Sequence, residues 1–471
     1  MSAKASTIWT FAITSIALFM VTLDNLVVTT AIPVIRQDLN ASLESLEWTV
    51  NAYTLTFAVL LLTGAALGDR FGRRRVFVIG VGIFTLGSIA AALAPTVEAL
   101  NLARALQGLG GAIVMPLTLT ILSHAVPKEK RGLALGAWGG ISGLAVAFGP
   151  LVGGAVVEGL SWQWIFWLNV PIGIALIPLG LGKLTESYGP STRLDLPGLG
   201  LGSAGLFGLV WALVRGNGQG WTSPEIVASL GLGLALVAAF VAWEARTEQP
   251  MLPLRFFRNA AFSLANLASL FMFFGMFGSI FLLSQFFQTV QGYSPFGSGL
   301  RILPWTLAPM FIAPLAGALS DKIGGKVLIG TGLAMQGSAL AWIGLVSTPT
   351  VAYSQLVVPF VLAGVGMALF FAPMANVVLS AVRPQEEGQA SGANNAIREL
   401  GGVFGVAVLA SVFAQQGGYE TGQTFVDGMN PALVIGGVVV LLGSLAAFLI
   451  PGRPKQAQPQ PVELEPLAEA A

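Results

Sequence analysis

Four ionisable side chains lie inside long apolar stretches of the sequence: Asp24, Arg104, Arg398 and Glu399. A charged group at membrane depth is costly, and it usually belongs to a pathway for ions or substrates. A carboxylate in this setting can exchange a proton or attract a cation, and an arginine can favour its charged form. The residue types therefore indicate the movement of protons or cations.

Asp24 and Glu399 are the candidates for carrying protons and for pairing with a cationic substrate. The alternative is a static ion pair, either Asp24 with Arg104 or Glu399 with Arg398. Arg104 is interpreted as modulating a carboxyl group and positioning its own helix, and a purely structural role is the alternative. The residue types leave these alternatives open.

The stretch that holds Arg398 and Glu399 also contains Asn394 and Asn395. Asn395 and Glu399 are four residues apart, so they share one face of a helix, and Asn394 and Arg398 share the neighbouring face. We expect this polar stripe to face a cavity rather than lipid. Two weaker candidates for lining that cavity open the second apolar stretch: Asn51 and Tyr53.

The amino-acid composition indicates the class of protein in which these residues must lie. Of 471 residues, 55% are hydrophobic and 10% are charged, against about 25% charged in a typical soluble protein. The mean hydropathy is +0.78. A chain with so few charged residues cannot cover a water-soluble surface of this size. It is therefore predicted to be an all-α integral membrane protein.

Composition also excludes several classes of function. The chain has no cysteine and one histidine, which excludes disulfides, thiolate metal sites and a multi-histidine metal centre. It contains no glycine-rich phosphate-binding loop with Lys and Ser or Thr, so nucleotide-driven pumping is not expected. The net charge of +1 gives no sign of a nucleic-acid partner. We expect no metal and no cofactor.

Fourteen stretches are long and apolar enough to cross a bilayer as helices. They lie near residues 10–34, 47–67, 76–94, 98–121, 132–157, 164–182, 196–214, 226–243, 260–288, 300–319, 327–346, 353–376, 389–413 and 431–450. If the N-terminus is cytoplasmic, the loops facing outward hold only three basic residues: Arg36, Arg215 and Arg301. Positive charge accumulates on the cytoplasmic side of membrane proteins, so both termini are predicted to be cytoplasmic.

An internal repeat divides these spans into two sets. Residues 64–75, after the second span, resemble residues 317–326, after the tenth, and both contain Leu-x-Asp-basic-x-Gly. Residues 123–132 similarly resemble residues 380–388. The repeat predicts two six-helix bundles around a site near mid-membrane. The predicted parts are bundles at 1–190 and 259–451, an inserted central helix pair at 191–258, and a disordered cytoplasmic tail at 452–471.

Several motifs follow one another along the chain. The loop after the second span carries Asp69, Arg70, Gly72 and Arg73, with Asp321 in the second copy of the repeat. The fifth span carries Gly149, Pro150, Gly153 and Gly154. The others are Leu23-Asp24 in span 1, Arg104-x-x-Gln107-Gly108 in span 4 and Trp162-Gln-Trp-Ile-Phe-Trp-Leu-Asn-Val-Pro. Over residues 10–450 this order resembles the major facilitator superfamily, above all its fourteen-span drug:proton antiporter family. Ala65 and Thr29 stand where that family usually has Gly and Asn.

The residues of the loop motif also allow a physical interpretation. Gly72 permits a tight turn, the arginines suit the cytoplasmic surface, and Asp69 suits a helix N-terminus. The resemblance implies that Asp69 pairs across the two halves and latches the outward-facing state. A plain basic loop is the alternative, but it does not explain the acid or its second copy at Asp321.

The glycines of the fifth span permit close helix packing, and Pro150 removes a backbone hydrogen bond. The resemblance implies an antiporter motif that is found in exporters. Ordinary packing of small residues is the alternative.

The resemblance implies a proton-coupled exporter of hydrophobic, cationic compounds that works by alternating access. We expect a monomeric, multi-pass protein of the cell membrane. A dedicated exporter of one metabolite or antibiotic is the first alternative, and a membrane receptor or scaffold is a second. An intramembrane enzyme would need a catalytic constellation, and none is evident in the sequence.

Overall fold

The computed structural model describes residues 3–126, 131–189, 195–383 and 386–451. Within these ranges the chain is helical and contains no strand. The α-helices are α1 (Ala3–Asp38), α2 (Leu43–Phe71), α3 (Arg73–Ala92), α4 (Val97–Ala125), α5 (Arg131–Gly159), α6 (Trp164–Trp167), α7 (Asn169–Lys183), α8 (Leu196–Gln219), α9 (Pro224–Glu244), α10 (Ala260–Gln285), α11 (Pro295–Ile323), α12 (Gly325–Val346), α13 (Tyr353–Ser380), α14 (Glu387–Gln416) and α15 (Gly422–Phe448). A 3₁₀ turn (Leu254–Arg258) precedes α10, and a π-helical turn (Phe286–Val290) follows it.

Among the described residues, 12 helical segments are long and apolar enough to cross a membrane. The protein is therefore a multi-pass membrane protein. Helices α5 and α11 coincide with two further expected spans and have 29 residues each, but they are not among those 12. The total of fourteen spans stays a prediction.

Some helices begin well before their apolar stretches. The last stretch was expected from residue 431, whereas α15 begins at Gly422. Thr421 sets this start, because its hydroxyl accepts the Thr424 N–H at 3.1 Å. The first turns of α15 are polar, so hydropathy reports only the later part of the helix.

Helices α1 to α7 pack together around α4. Helices α2 and α3 lie against α4, while α1 lies against α5 and α3 against α7. The glycines of α4 permit this, because a Cβ on Gly108 would collide with the carbonyl oxygen of Tyr53 and one on Gly110 with the backbone of Phe84. The glycine-rich sequence of span 4 thus brings two neighbouring backbones close to the helix that carries Arg104.

Helices α10 to α15 form a second packed group. In it, α12 lies against α13 and α15, α10 lies against α14 and α15, and α11 lies against α13. Two pairs of helices make most of the contact between the groups, α5 with α11 and α2 with α14.

Helices α8 and α9 pack on each other at the edge of the molecule. Val210 and Val214 of α8 join an apolar cluster with Val59 of α2 and Val403 of α14. Helix α9 contacts the rest of the described chain chiefly through α8, and only 11% of its apolar window is buried. Helix α8 therefore attaches the pair to the seam between the two groups.

Candidate functional site

Asp24 and Arg104 meet in the interior of the first group of helices. Asp24 is 3% exposed and Arg104 is fully buried. Nη1 of Arg104 donates directly to Oδ2 of Asp24, which joins α1 to α4. Asp24 thus forms the ion pair with Arg104 that the residue types allowed.

Three further side chains complete the surroundings of the Asp24 carboxylate. Asn169 Nδ2 donates to Asp24 Oδ1 at 2.7 Å, and Gln107 Nε2 donates to the same oxygen at 3.2 Å. Both amides also donate to the hydroxyl of Ser88, at 3.3 Å and 2.8 Å. Helices α1, α3, α4 and α7 thus converge on one carboxylate whose two oxygens are both hydrogen-bonded.

Arg104 is held by groups besides Asp24. Its Nε donates to the Thr49 carbonyl oxygen at 3.2 Å, and its Nη1 donates to Gln107 Oε1 at 2.9 Å. Its guanidinium carbon lies 4.3 Å from the centre of the Tyr53 ring, a cation–π distance. Tyr53 is therefore part of the buried ion-pair site.

The second group of helices carries Arg398 and Glu399 in a looser setting. Both residues are partly exposed as a whole, although Arg398 Nε and Glu399 Oε2 are buried. The Arg398 guanidinium carbon lies 4.3 Å from the ring centre of Phe273 and 5.2 Å from that of Phe371. Its Nη1 donates to Asn395 Oδ1 at 3.2 Å. Aromatic rings and an amide thus hold this arginine.

Glu399 faces the first group of helices. The amide of Asn25, the residue after Asp24, lies within hydrogen-bonding reach of the Glu399 carboxylate. Glu399 Oε2 has no hydrogen-bond partner among the described residues. One of its oxygens thus remains available to another group. Neighbouring residues of α1 therefore connect the Asp24 site to Glu399.

A cavity of about 900 Å³ lies between the two groups of helices. Its lining includes Asp69 and Arg73 of the α2–α3 turn, and the exposed Glu248 brings it to the surface there. We call this side of the molecule the cavity end and the opposite side the closed end. Asn395 lines the cavity, and Glu399 lies one helical turn beyond it.

The other amide candidates and Tyr53 do not line this cavity. Asn51 and Tyr53 are buried within the helix packing. Asn394 is also buried, and its Nδ2 donates to Asn266 Oδ1 at 3.0 Å and to Ser269 Oγ at 3.1 Å. Asn394 thus ties α14 to α10.

The loop motif differs from expectation at its acid. Asp69 lies in the last turn of α2 rather than at a helix N-terminus, because α2 continues to Phe71. Its carboxylate pairs with Arg73 Nε at 2.7 Å, within the same group of helices. Gly72 makes the turn with φ 104°, a conformation that favours glycine.

Glu186, rather than Asp69, is the acid at the N-terminus of α3. Its Oε1 accepts the Arg74 N–H at 2.9 Å, where the helix dipole favours an anion. Arg70 is exposed, with its guanidinium carbon 5.3 Å from the ring centre of Phe71. The side chain of Asp321 lies outside the described residues.

The glycines of the fifth span lie where α5 meets α1 and α11. A Cβ on Gly149 would lie 2.6 Å from Leu26 Cβ, and one on Gly153 would lie 2.8 Å from the Val27 carbonyl oxygen. A Cβ on Gly154 would lie 2.7 Å from Phe296 Cα in the other group of helices.

Pro150 completes the same seam. Its carbonyl oxygen leaves no room for a Cβ on Gly299 of α11. Gly154 and Pro150 therefore lie where the two groups touch backbone to backbone, whereas Gly149 and Gly153 pack α5 against α1 within the first group.

Side chains from both groups also meet at the closed end. The Arg36 guanidinium carbon lies 3.3 Å from the ring centre of Tyr419, and Gln288 Nε2 donates to the Thr30 carbonyl oxygen at 2.9 Å. Phe296 N–H donates to Glu158 Oε2 at 3.1 Å. These contacts bridge the groups at the end away from the cavity.

Two acids at the cavity mouth did not enter the sequence interpretation. Asp195 caps α8 and Glu244 ends α9, and one oxygen of each carboxyl group lies beside Gly198, so the two acids are close together. Burial raises the pKa of Asp195, but hydrogen bonds from Gly198 N–H and other donors bring that pKa below its usual value. Their sequence separation gave no signal of this contact.

Comparison with known proteins agrees with the helical architecture. The sequence model described as Major Facilitator Superfamily matches residues 14–406 and residues 265–469. The chain is 37% identical over 407 residues to multidrug resistance protein Stp of Mycobacterium tuberculosis, covering 86% of this chain and 75% of that protein. It is 33% identical over 406 residues to the tetracenomycin C resistance and export protein of Streptomyces glaucescens, with coverage of 86% and 75%.

A solved structure shares the fold at low sequence identity. A POT family transporter in complex with 5-aminolevulinic acid superposes with a TM-score of 0.69 at 15% identity, covering 94% of this chain and 95% of that one. The likeness extends over nearly the whole length of both chains. The match of the Major Facilitator Superfamily model over residues 14–406 establishes that this chain belongs to that superfamily.

Proposed function

We propose that the protein is a drug:proton antiporter that exports hydrophobic, cationic compounds. The observation that carries this proposal is Glu399, a partly buried carboxylate one turn beyond the cavity residue Asn395, with an oxygen free of protein partners. Relatives at 33–37% identity are named as multidrug resistance and export proteins, which supports an exporter.

Alternating access requires two bodies that move against each other. We assign residues 1–190 and 259–451 as the two six-helix bundles, with the pair at 191–258 inserted between them; the expected tail at 452–471 lies outside the described residues. The contacts of α5 with α11 and of α2 with α14 are then the surfaces on which the bundles rock. With fourteen spans and both termini cytoplasmic, the cavity faces the cytoplasm of a bacterial-type plasma membrane, and one chain suffices for transport.

Coupling follows from competition at a carboxylate. In its charged form Glu399 attracts a cationic substrate from the cavity, and in its protonated form it releases that substrate. Asp24 and Arg104 hold the first bundle in register with this site, while Arg398 tunes Glu399. Asp69, Arg73 and the second-copy Asp321 act on the interconversion of states, with Arg70 and Gly72 shaping the turn.

The test is transport in proteoliposomes with an imposed pH gradient. Vesicles with an acidic interior should accumulate a fluorescent cation such as ethidium through inverted protein, because outward proton flow drives the exchange. An ionophore that collapses the gradient should abolish the accumulation. Equal accumulation with and without a gradient would remove proton coupling.

The orientation has its own test. A reporter fused after residue 452 and one inserted near Asn217 should report opposite sides of the membrane, because Asn217 lies at the far end of α8. Reporters on the same side would overturn the proposed topology.

A dedicated exporter of one antibiotic is the second candidate, since some relatives are named for a single compound. A panel of dyes and antibiotics separates the two. Loss of cation transport in Asp24→Asn, with neutral compounds still exported, would favour the broad exporter. Transport of a single compound from the panel would favour the dedicated one.

A further inference from the structure

Two polar residues of α2 are buried without a full set of partners. Glu47 is 3% exposed and Asn51 is fully buried. Among the described residues, nothing hydrogen-bonds Glu47 Oε2, Asn51 Nδ2 or Asn51 Oδ1. A buried acid and a buried amide in this state require an explanation, because buried polar groups in proteins are normally hydrogen-bonded.

The charged groups around Glu47 leave it without a salt bridge among the described residues. Glu44, on the same helix, pairs with Arg215 of α8 at 3.3 Å. Arg36 of α1 stacks on Tyr419, and Glu47 is near enough for its charge to act on that tyrosine. Glu47 thus lies beside the contact that joins the two bundles at the closed end.

Helix geometry places Asn51 and Glu47 on the side of α2 that faces α14. Leu62 marks that side, because a Cβ on Gly392 of α14 would lie 2.8 Å from Leu62 Cδ2. Asn51 is eleven residues before Leu62, three turns away and within about 20° of the same direction. Glu47 is one further turn toward the closed end.

The same geometry places Glu399 opposite this side of α2. Glu399 is seven residues after Gly392, two turns away and again within about 20° of the same direction. The two helices run in opposite directions, so Glu399 lies level with Leu55 of α2. Asn51 is then one turn, or about 6 Å along the axis, beyond Glu399, and Glu47 is another 6 Å beyond Asn51.

Buried polar atoms that lie in a row without protein partners can bind water molecules. Buried polar groups without protein partners are satisfied by ordered water, which makes about three hydrogen bonds to such groups. An acid, an amide and a second acid spaced by single turns can hold such water between them. The facing residues of α14, Val403 and Ala407, are apolar and offer no competing donor.

We propose that Glu47 and Asn51 form the outer part of the proton route, linking the closed end to Glu399 through water held by the Asn51 amide. A proton binds the Glu47 carboxylate from the closed end. It then leaves Glu47 for a water at Asn51, and that water passes a proton to Glu399, so one O–H bond breaks for each that forms. The inference rests on the proposed proton-coupled export and adds a second proton-binding acid to it.

The experiment compares Glu47→Gln with Glu98→Gln, an exposed acid in the first turn of α4 that lies outside the proposed route. Two rates are measured in proteoliposomes, proton-driven substrate accumulation and substrate-for-substrate exchange without a pH gradient. Glu47→Gln should lower proton-driven accumulation at least about tenfold, since a positioned acid or base commonly contributes that much or more. Exchange and substrate affinity should remain near wild type, and Glu98→Gln should leave both rates unchanged.

Asn51 supplies a second pair of variants, which decides the question if Glu47→Gln does not fold. Asn51→Ser keeps a group that can hydrogen-bond water, whereas Asn51→Leu does not. Proton-driven accumulation should survive in the serine variant and fall in the leucine variant, with exchange retained in both. Wild-type accumulation in Asn51→Leu would overturn the proposal.

Two further outcomes for Glu47→Gln also count against the route. Equal loss of accumulation and exchange would make Glu47 a structural residue, and wild-type values for both would exclude it from the proton route. Absence of proton-driven accumulation in the wild-type protein is a different result, because it removes the proposed function itself.

Discussion

The two acid–arginine sites of this transporter differ in how firmly they are held. Asp24 and Arg104 pair directly and are almost fully buried, and the Asp24 carboxylate accepts hydrogen bonds from side chains of α4 and α7. Arg398 and Glu399 are partly buried, and the arginine rests on aromatic rings. A carboxylate with both oxygens bonded resists change, whereas one with a free oxygen can take a new partner. The comparison assigns stability to the first site and exchange to the second.

The largest expected effect is on protein stability, which substitution of Arg104 should lower more than substitution of Arg398. Arg104→Leu leaves the buried Asp24 carboxylate without its cation, and breaking a buried pair typically costs about 3–5 kcal/mol. Arg398→Leu should cost about 1 kcal/mol or less, in the range of a cation–π contact. Thermal unfolding of the purified proteins in detergent measures both. Equal destabilisation would contradict the assignment.

The next effect is a difference between the two acids in how their substitution changes transport and stability. Glu399→Gln should lower proton-driven efflux on the order of 10²-fold, the lower range for loss of a positioned acid or base, with little change in unfolding temperature. Asp24→Asn should lower both efflux and unfolding temperature. Glu399→Gln should also flatten the pH dependence of substrate binding from about pH 5 to pH 9, a window that spans the titration of a perturbed carboxyl group, whereas Asp24→Asn should leave that dependence unchanged.

Binding and substrate-induced proton release in detergent check this prediction. Wild-type pH dependence and release in Glu399→Gln would exclude Glu399 as the coupling group. The proton would then have to travel through other acids.

A third comparison tests whether packing at the closed end controls access to the Glu399 site. Gly154→Ala inserts a methyl group against Phe296, and such overpacking typically costs about 1–3 kcal/mol. Gly159→Ala is the matched control, because nothing lies within 4 Å of a Cβ there. The chain has no cysteine, so Asn395→Cys supplies a single thiol in the cavity. Thiol labelling from the cavity end should slow in Gly154→Ala and stay unchanged in Gly159→Ala.

The smallest effect concerns the turn at the cavity mouth. Asp69→Asn should lower turnover about twofold to fivefold while leaving substrate affinity unchanged, because a partly exposed ion pair contributes up to about 1 kcal/mol. Glu98→Gln, an exposed acid at the closed end, is the control. A parallel loss of affinity and turnover would place Asp69 in the binding site instead of the moving parts.

The helices and the family could be predicted from the sequence because hydropathy and motif order are local signals. Contacts between helices distant in sequence could not. Asn169 reaches Asp24 across 145 residues, and no spacing rule connects them. Glu186 caps α3 from 112 residues away, so the nearer acid, Asp69, looked like the capping residue. Asn51 was expected in the cavity because it is polar, but only the packing of α2 against α14 shows that it is enclosed.

The exposed position of helix α9 determines which substitutions its sequence can tolerate during evolution. Its exposed side chains, Leu232, Leu234 and Val241 among them, face lipid tails, which accept any apolar side chain of suitable length. Gly233 differs, because a Cβ there would lie 3.0 Å from the Gly205 carbonyl oxygen of α8. Divergence among relatives should therefore be rapid in residue identity along the outer faces of α9 and slow in hydropathy. The sequence of α9 is therefore constrained by the thickness of the membrane more than by the chemistry of the transported compound.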